Sequence, residues 1–120
     1  MADQAHGWTE FCPRFHRAIE LVGKRWSGAI LRALLAGDHR FNELQAAIPG
    51  LSDRLLSERL RELEEEGLTR RVVQAGPPVR VSYTLTEKGE ELRTALWPLA
   101  EWAEKWFGEH APSPDSAVER

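Results

Sequence analysis

Residues 40–85 of this 120-residue chain read RFNELQAAIPGLSDRLLSERLRELEEEGLTRRVVQAGPPVRVSYTL. A short segment with Phe41, Leu44, Ala47 and Ile48 on one side is stopped by Pro49-Gly50. After Leu51, Ser52 suits a helix N-cap, because its hydroxyl accepts a bond from an unpaired N–H of the first turn. Through Glu66 the leucines at 56, 60 and 63 recur at i, i+4 and i+7, with Leu55 and Arg59 beside that stripe. Arg54, Ser57, Glu58, Arg61 and Glu65 face away from it, and Gly67-Leu68 ends the helix and opens a strand. Residues 68–74 are strand-like, Ala75-Gly76-Pro77-Pro78 is a hairpin tip, and Val81-Ser82-Tyr83-Thr84-Leu85 alternates as a half-buried strand does. A helix-turn-helix running into a β-hairpin is the order of a winged helix, which points first to duplex DNA.

Working outward, residues 1–11 form an arm carrying Trp8 and Phe11. Pro13 suits a helix start, and Phe15, Ala18, Ile19 and Val22 repeat at helical spacing before Gly23 interrupts. A second helix over about 26–36 presents Trp26, Ile30, Leu31, Leu34 and Leu35 on one face and closes at Gly37. Thr86 caps a last helical stretch reaching residue 108, and Pro98 within it predicts a kink or division, since proline removes a helix hydrogen bond. The segment 109–120, with Pro112-Ser113-Pro114-Asp115-Ser116, has the composition of a disordered tail. The expected fold is therefore mainly α with a small β-hairpin, one winged-helix domain over 12–108. Its helix-turn-helix spans about 41–66, its wing about 68–85 and its C-terminal helices about 86–108.

Bulk properties narrow the function classes. No apolar run approaches the roughly 20 residues of a membrane helix, and Met1-Ala2-Asp3-Gln4 shows neither the basic nor the apolar part of a secretory signal. A single cysteine, Cys12, forms no intrachain disulfide, so a reducing cytoplasmic setting is expected. The net charge of −3 divides unevenly: residues 1–13 carry −2, residues 14–85 carry +3 and residues 86–120 carry −4. The basic excess, though small, lies in the segment expected to meet DNA.

A helix in the major groove reads base edges from its N-terminal half, while Arg, Lys, Ser and backbone N–H groups hold phosphates. Arg54, Ser57 and Arg61 occupy the outward face, and arginine pairs bidentately with guanine O6 and N7. The acidic end, Glu62-Glu64-Glu65-Glu66, repels phosphate, so only the first half of the helix is expected to enter the groove. Arg80, just past the stiff Gly76-Pro77-Pro78 tip, is placed to reach a phosphate or minor groove. Lys24, Arg25, Arg40 and Ser52 are further candidate DNA contacts. Taken singly, Arg54 or Arg61 reads first as a solvated surface group, and the preference reverses only with the turn, the strand and the wing; the order of elements carries the specificity.

The chain resembles the HxlR family of bacterial winged-helix transcriptional regulators. The resemblance runs from Cys12-Pro13 through Gly23-Lys24-Arg25-Trp26-Ser27 and Arg40-Phe41-Asn42-Glu43-Leu44 to Ile48-Pro49-Gly50-Leu51-Ser52. It continues in Leu60-Arg61-Glu62-Leu63, Glu66-Gly67-Leu68, Pro77-Pro78, Val81-Ser82-Tyr83-Thr84-Leu85-Thr86, Gly89 and Trp102, and so covers about residues 12–106. It implies a homodimeric, sequence-specific regulator of a palindromic or near-palindromic operator, with N- and C-terminal helices forming the dimer interface. One departure is Gly23-Lys24-Arg25-Trp26, where the family usually has Gly-Gly-Lys-Trp.

Apart from Trp26, the tryptophans Trp8, Trp97, Trp102 and Trp106, with Phe11, Phe15 and Phe107, lie in the terminal segments. A small winged-helix core does not hide them all, so they are the expected self-association surface; intramolecular packing of one terminal helix on the other is the competing reading. Cys12, at a helix start beside Arg14 and Arg17, is in the setting that favours a thiolate. Members of the similar family sense oxidants or electrophiles through a cysteine there, and the alternative is an inert thiol at the dimer seam. Cys12 and His16 are too few ligands for a metal, and His6, His39 and His110 are scattered, so neither metal nor cofactor is expected. No Ser/His/Asp arrangement, phosphate loop or carboxylate pair stands out, so enzymatic activity is not expected. A winged-helix module serving a protein partner instead of DNA is the alternative function.

Overall fold

The computed structural model describes residues 8–109. In order these form α1 (Pro13–Gly23), α2 (Ser27–Ala36), β1 (His39–Arg40), α3 (Phe41–Ala47), α4 (Asp53–Glu65), β2 (Thr69–Gln74), β3 (Arg80–Leu85), α5 (Glu87–Glu91) and α6 (Arg93–Phe107). The core is the leucine pattern made solid. Ile30, Leu31, Leu34 and Leu35 of α2, Leu44 of α3 and Leu56, Leu60 and Leu63 of α4 close together with Ile48, Leu51, Leu68 and Leu85. The expected mainly α fold with a winged helix is observed, with α3 and α4 as the helix-turn-helix.

The helix stop at Gly67 works as the sequence implied. Its φ of 77° is left-handed backbone, and Leu68 N donates back to Leu63 O at 2.9 Å, closing the last turn of α4. The chain then enters β2. The sheet has the order β1-β3-β2, with Thr69 opposite Leu85 and Gln74 opposite Arg80. Strand β1 was not anticipated, because two residues carry no periodicity; only pairing with β3, His39 opposite Tyr83 and Arg40 opposite Ser82, makes it a strand. Residues directly opposed share a face, so Arg40, Arg70 and Arg80 emerge on one side of the sheet with Ser82 and Thr84.

Two expectations are corrected. Trp26 packs half-buried against the core but is not a residue of α2 itself: it is the N-cap, in left-handed backbone with φ 77°, and α2 begins at Ser27. Its ring instead reaches the helix-turn-helix turn, 3.5 Å from where a Cβ would stand on Gly50, itself at φ 87°. Pro98 does not divide the last helix, since α6 runs through it; the carbonyl of Thr94 that loses its partner lies on an exposed stretch open to water. The interruption falls at Leu92, where the ladder shortens to Leu92 N→Gly89 O and Ala95 N→Leu92 O. Phe15 and Ile19 of α1 lie outside the core, and neither α1 nor α6 contains a buried residue. Thr86, by contrast, caps α5 as expected, accepting from Gly89 N at 3.1 Å. The tail expected over 109–120 lies, but for Glu109, outside the described residues.

Candidate DNA interface and the terminal layer

The recognition surface is built on α4. Ser52 Oγ accepts from Leu55 N at 3.2 Å, as an N-cap serine should, which commits that hydroxyl to the helix end. Gln45 of α3 donates to Asp53, tying the two helices of the motif at the first turn of α4. At 3.6 residues per turn Arg54, Ser57 and Arg61 fall within about 60° of arc, away from the Leu56, Leu60 and Leu63 stripe. All three are exposed. Arg54 is 90% exposed, with Glu58 3.9 Å away as its nearest acid, and Arg61 has no ion pair or side-chain hydrogen bond among the described residues.

The other candidates divide. Arg80 is exposed beside the wing tip and unpaired among the described residues, and Arg40 stays half-exposed on the same sheet face while its backbone N donates to Glu43 Oε1 at 2.6 Å. Arg25 stacks at 5.4 Å over the Trp26 ring with its side chain exposed. Lys24 turns elsewhere: its Nζ lies 2.9 Å from Glu62 Oε2, held in an ion pair rather than offered to a phosphate. Arg70 and Arg71 of β2 are exposed and unpaired among the described residues, yet sequence reasoning passed over them. The signal was present in Thr69-Arg70-Arg71, since strand alternation puts one of any two adjacent arginines on each face.

The acidic end of α4 is partly neutralised from within. Glu62 takes Lys24 and, at 3.2 Å, Arg59, while Glu66 takes Arg17 at 3.0 Å. The hydrogen bond from Lys24 holds the Glu62 carboxyl below the usual carboxylate range against the opposing effect of desolvation, with the charges of Lys24 and Arg59 adding to it.

The terminal layer is apolar and uncovered. Trp8, Phe11, Phe15, Ile19, Trp97, Leu99, Trp102 and Phe107 are all at least half exposed. Of these, Ile19, Trp97 and Leu99 line, with Val22, an open groove of about 1000 Å³ between α1, α2 and α6. Trp8 packs on Phe15 at 6.0 Å and Trp102 meets Phe107 edge-on at 5.4 Å, whereas Trp106 is half-buried beneath Lys105. Cys12 is the N-cap of α1, in a depression of about 700 Å³ with Trp8, Phe11, Phe15 and His16. Its Sγ accepts from Phe15 N at 3.5 Å, which lowers the thiol pKa; slight burial opposes this and Arg14 assists. Arg17, expected to help, pairs with Glu66 instead. Among the described residues no three His, Cys, Asp or Glu side chains are grouped to hold a metal, and no helix is long and apolar enough to cross a membrane.

Comparison with known proteins agrees with this geometry. The model of the HxlR-like helix-turn-helix matches residues 21–111. The uncharacterised HTH-type transcriptional regulator YvaP of Bacillus subtilis is 48% identical over 99 residues, 82% of this chain and 92% of that protein. The HTH-type transcriptional regulator YodB of the same organism is 42% identical over 95 residues, 79% of this chain and 85% of that protein. The structure of reduced YodB superposes with a TM-score of 0.73 over 81% of this chain and 95% of that chain, and YodB has also been solved diamide-treated and quinone-bound. The redox regulator HypR in its reduced form, 33% identical, gives 0.72 over 76% of this chain and 90% of that chain. With its winged helix, outward arginines and matching relatives, the chain belongs to the HxlR-like helix-turn-helix family of transcriptional regulators.

Proposed function

We propose that the chain acts as a homodimer on a palindromic or near-palindromic operator. Arg54, Ser57 and Arg61 of α4 read base edges, and Arg25, Arg40, Arg70 and Arg80 hold phosphates. The observation that carries this reading is the free arc of α4: three hydrogen-bonding side chains without strong partners, on a helix whose opposite side is anchored by buried leucines. Two-fold pairing is supported by the uncovered aromatic residues of α1 and α6, since apolar area of this kind is costly to leave in water. A C2 dimer presents two recognition helices related by the symmetry of such an operator.

Cys12 is our candidate for the signal. Its lowered pKa and its aromatic depression suit reaction with an oxidant or an apolar electrophile, and among its relatives YodB has been solved diamide-treated and quinone-bound, and HypR is a redox regulator. The test is a mobility shift with the DNA flanking the gene, combined with light scattering. Salt-dependent binding by a species of two chains, released by diamide in the wild type but not in Cys12→Ser, supports the reading. A monomer at micromolar concentration sinks the dimer. Absent or salt-independent DNA binding favours a protein partner, and equal diamide responses in wild type and Cys12→Ser remove the thiol as sensor.

A further inference from the structure

Opposite the reading arc, on α4 and at its C-cap, lies a second set of polar side chains, each partly buried. Arg59, Glu62 and Glu66 lie within about 60° of one another on the helix, flanking the leucine stripe. Each is joined to the α1–α2 layer. Arg59 Nε donates to Arg25 O at 2.9 Å and its Nη1 to Glu62 Oε1 at 3.2 Å. Glu62 Oε2 accepts from Lys24 Nζ at 2.9 Å, and Glu66 Oε1 accepts from Arg17 Nη2 at 3.0 Å. Arg59 is the most enclosed of these side chains, only 13% exposed, so its two bonds are little screened by water. The same corner holds Trp26, whose left-handed backbone turns its ring onto Gly50 in the helix-turn-helix turn.

We propose that Arg59 and Glu62 are positioning residues for DNA recognition: they clasp α4 to the Lys24–Trp26 corner and so fix the roll of the recognition helix about its axis. This rests on the DNA-reading role proposed above. Leucines gripping one side of a helix restrain its depth better than its rotation, because apolar contacts are non-directional. Directional bonds on the flank supply what they lack. A roll of about 10° moves a side-chain tip 5–6 Å from the axis by about 1 Å. That displacement takes a bidentate arginine–guanine pair out of hydrogen-bonding range. Because Arg17 and the corner lie along and beyond α1, any shift of that helix reaches the reading arc through these ties.

The test uses the full chain carrying Arg59→Lys, which keeps the charge but cannot make both bonds. Lys24→Met, at a half-exposed position, is the second variant, and Lys24→Met, Glu62→Gln and their double complete a cycle. For Arg59→Lys the ratio of operator to scrambled-DNA affinity is expected to fall about tenfold, with affinity for scrambled DNA and the salt slope unchanged. The double variant should lose no more discrimination than the worse single one. Amide exchange in residues 53–66 should quicken without DNA, while residues 69–85 keep wild-type protection. Unchanged discrimination and exchange in folded Arg59→Lys and Lys24→Met overturn the clasp, as does equal loss on both DNAs. If the wild type binds no DNA, the proposed function fails, and the exchange measurement alone decides the clasp.

Discussion

Arg54→Ala isolates a single term in recognition, because the free protein gives up almost nothing. The side chain is 90% exposed and its closest acid, Glu58, is 3.9 Å away. A pair of that kind one helical turn apart is worth about 0.3–0.5 kcal/mol at most, so thermal melting should hardly move. On the proposed reading the same guanidinium, on the first turn of α4, lies in the part of the helix that enters the groove. A bidentate contact with guanine contributes about 1–3 kcal/mol of discrimination, which is about 5- to 150-fold in operator affinity. Fluorescence anisotropy with a labelled operator and a scrambled duplex at several salt concentrations reads both quantities. Arg80→Ala is the contrast: as a phosphate contact it should weaken both duplexes alike and reduce the salt slope by about 0.9. If Arg54→Ala behaves like Arg80→Ala, or leaves operator affinity intact, the assignment of α4's outward arc to base reading is refuted.

Gly89→Ala places a methyl inside van der Waals contact of the Leu68 carbonyl, a backbone atom fixed by its bond from Thr86 N. A loss of about 1–3 kcal/mol and a melting point lower by several degrees should follow, and unchanged melting would contradict the close approach of α5 to the wing. Thr69 is buried, and its hydroxyl has no hydrogen-bond partner among the described residues. Thr69→Val should therefore stabilise by about 1 kcal/mol in urea titration, and a destabilised variant would reveal a bond to that hydroxyl. For Cys12 the sign follows from its lowered pKa: the thiolate persists to lower pH in the native protein than in the unfolded chain. Any stability it adds is present above the unfolded pKa and is lost as pH falls through the native one. The pH profile of iodoacetamide alkylation should have its midpoint lower natively than in urea, and coincident profiles would refute the N-cap effect.

Much of the fold could be read from periodicity and punctuation. The i, i+4, i+7 leucines of α4 became the core, Ser52 and Thr86 became caps, and Gly67 ended its helix, because each acts through neighbours a turn away. The failures share a cause. β1 exists through its pairing with β3, and Trp26 leaves its helix to meet Gly50 in a different element. Pro98 stays within α6, so that of the kink or division the local rule predicts, the division does not occur.

The candidate site divides the same way. The sequence alone determined which residues of α4 face outward, since a helical period assigns Arg54, Ser57 and Arg61 to one arc whatever surrounds them. It could not determine which cations are free to meet a phosphate. Lys24 and Arg17 look as available as Arg80 in the sequence, yet Glu62 and Glu66 hold them, and Arg59 is enclosed by bonds to Arg25 O and Glu62. Ion pairs between α1 and α4 depend on how two helices distant in the chain are brought side by side. That is a property of packing, and only the tertiary structure decided it.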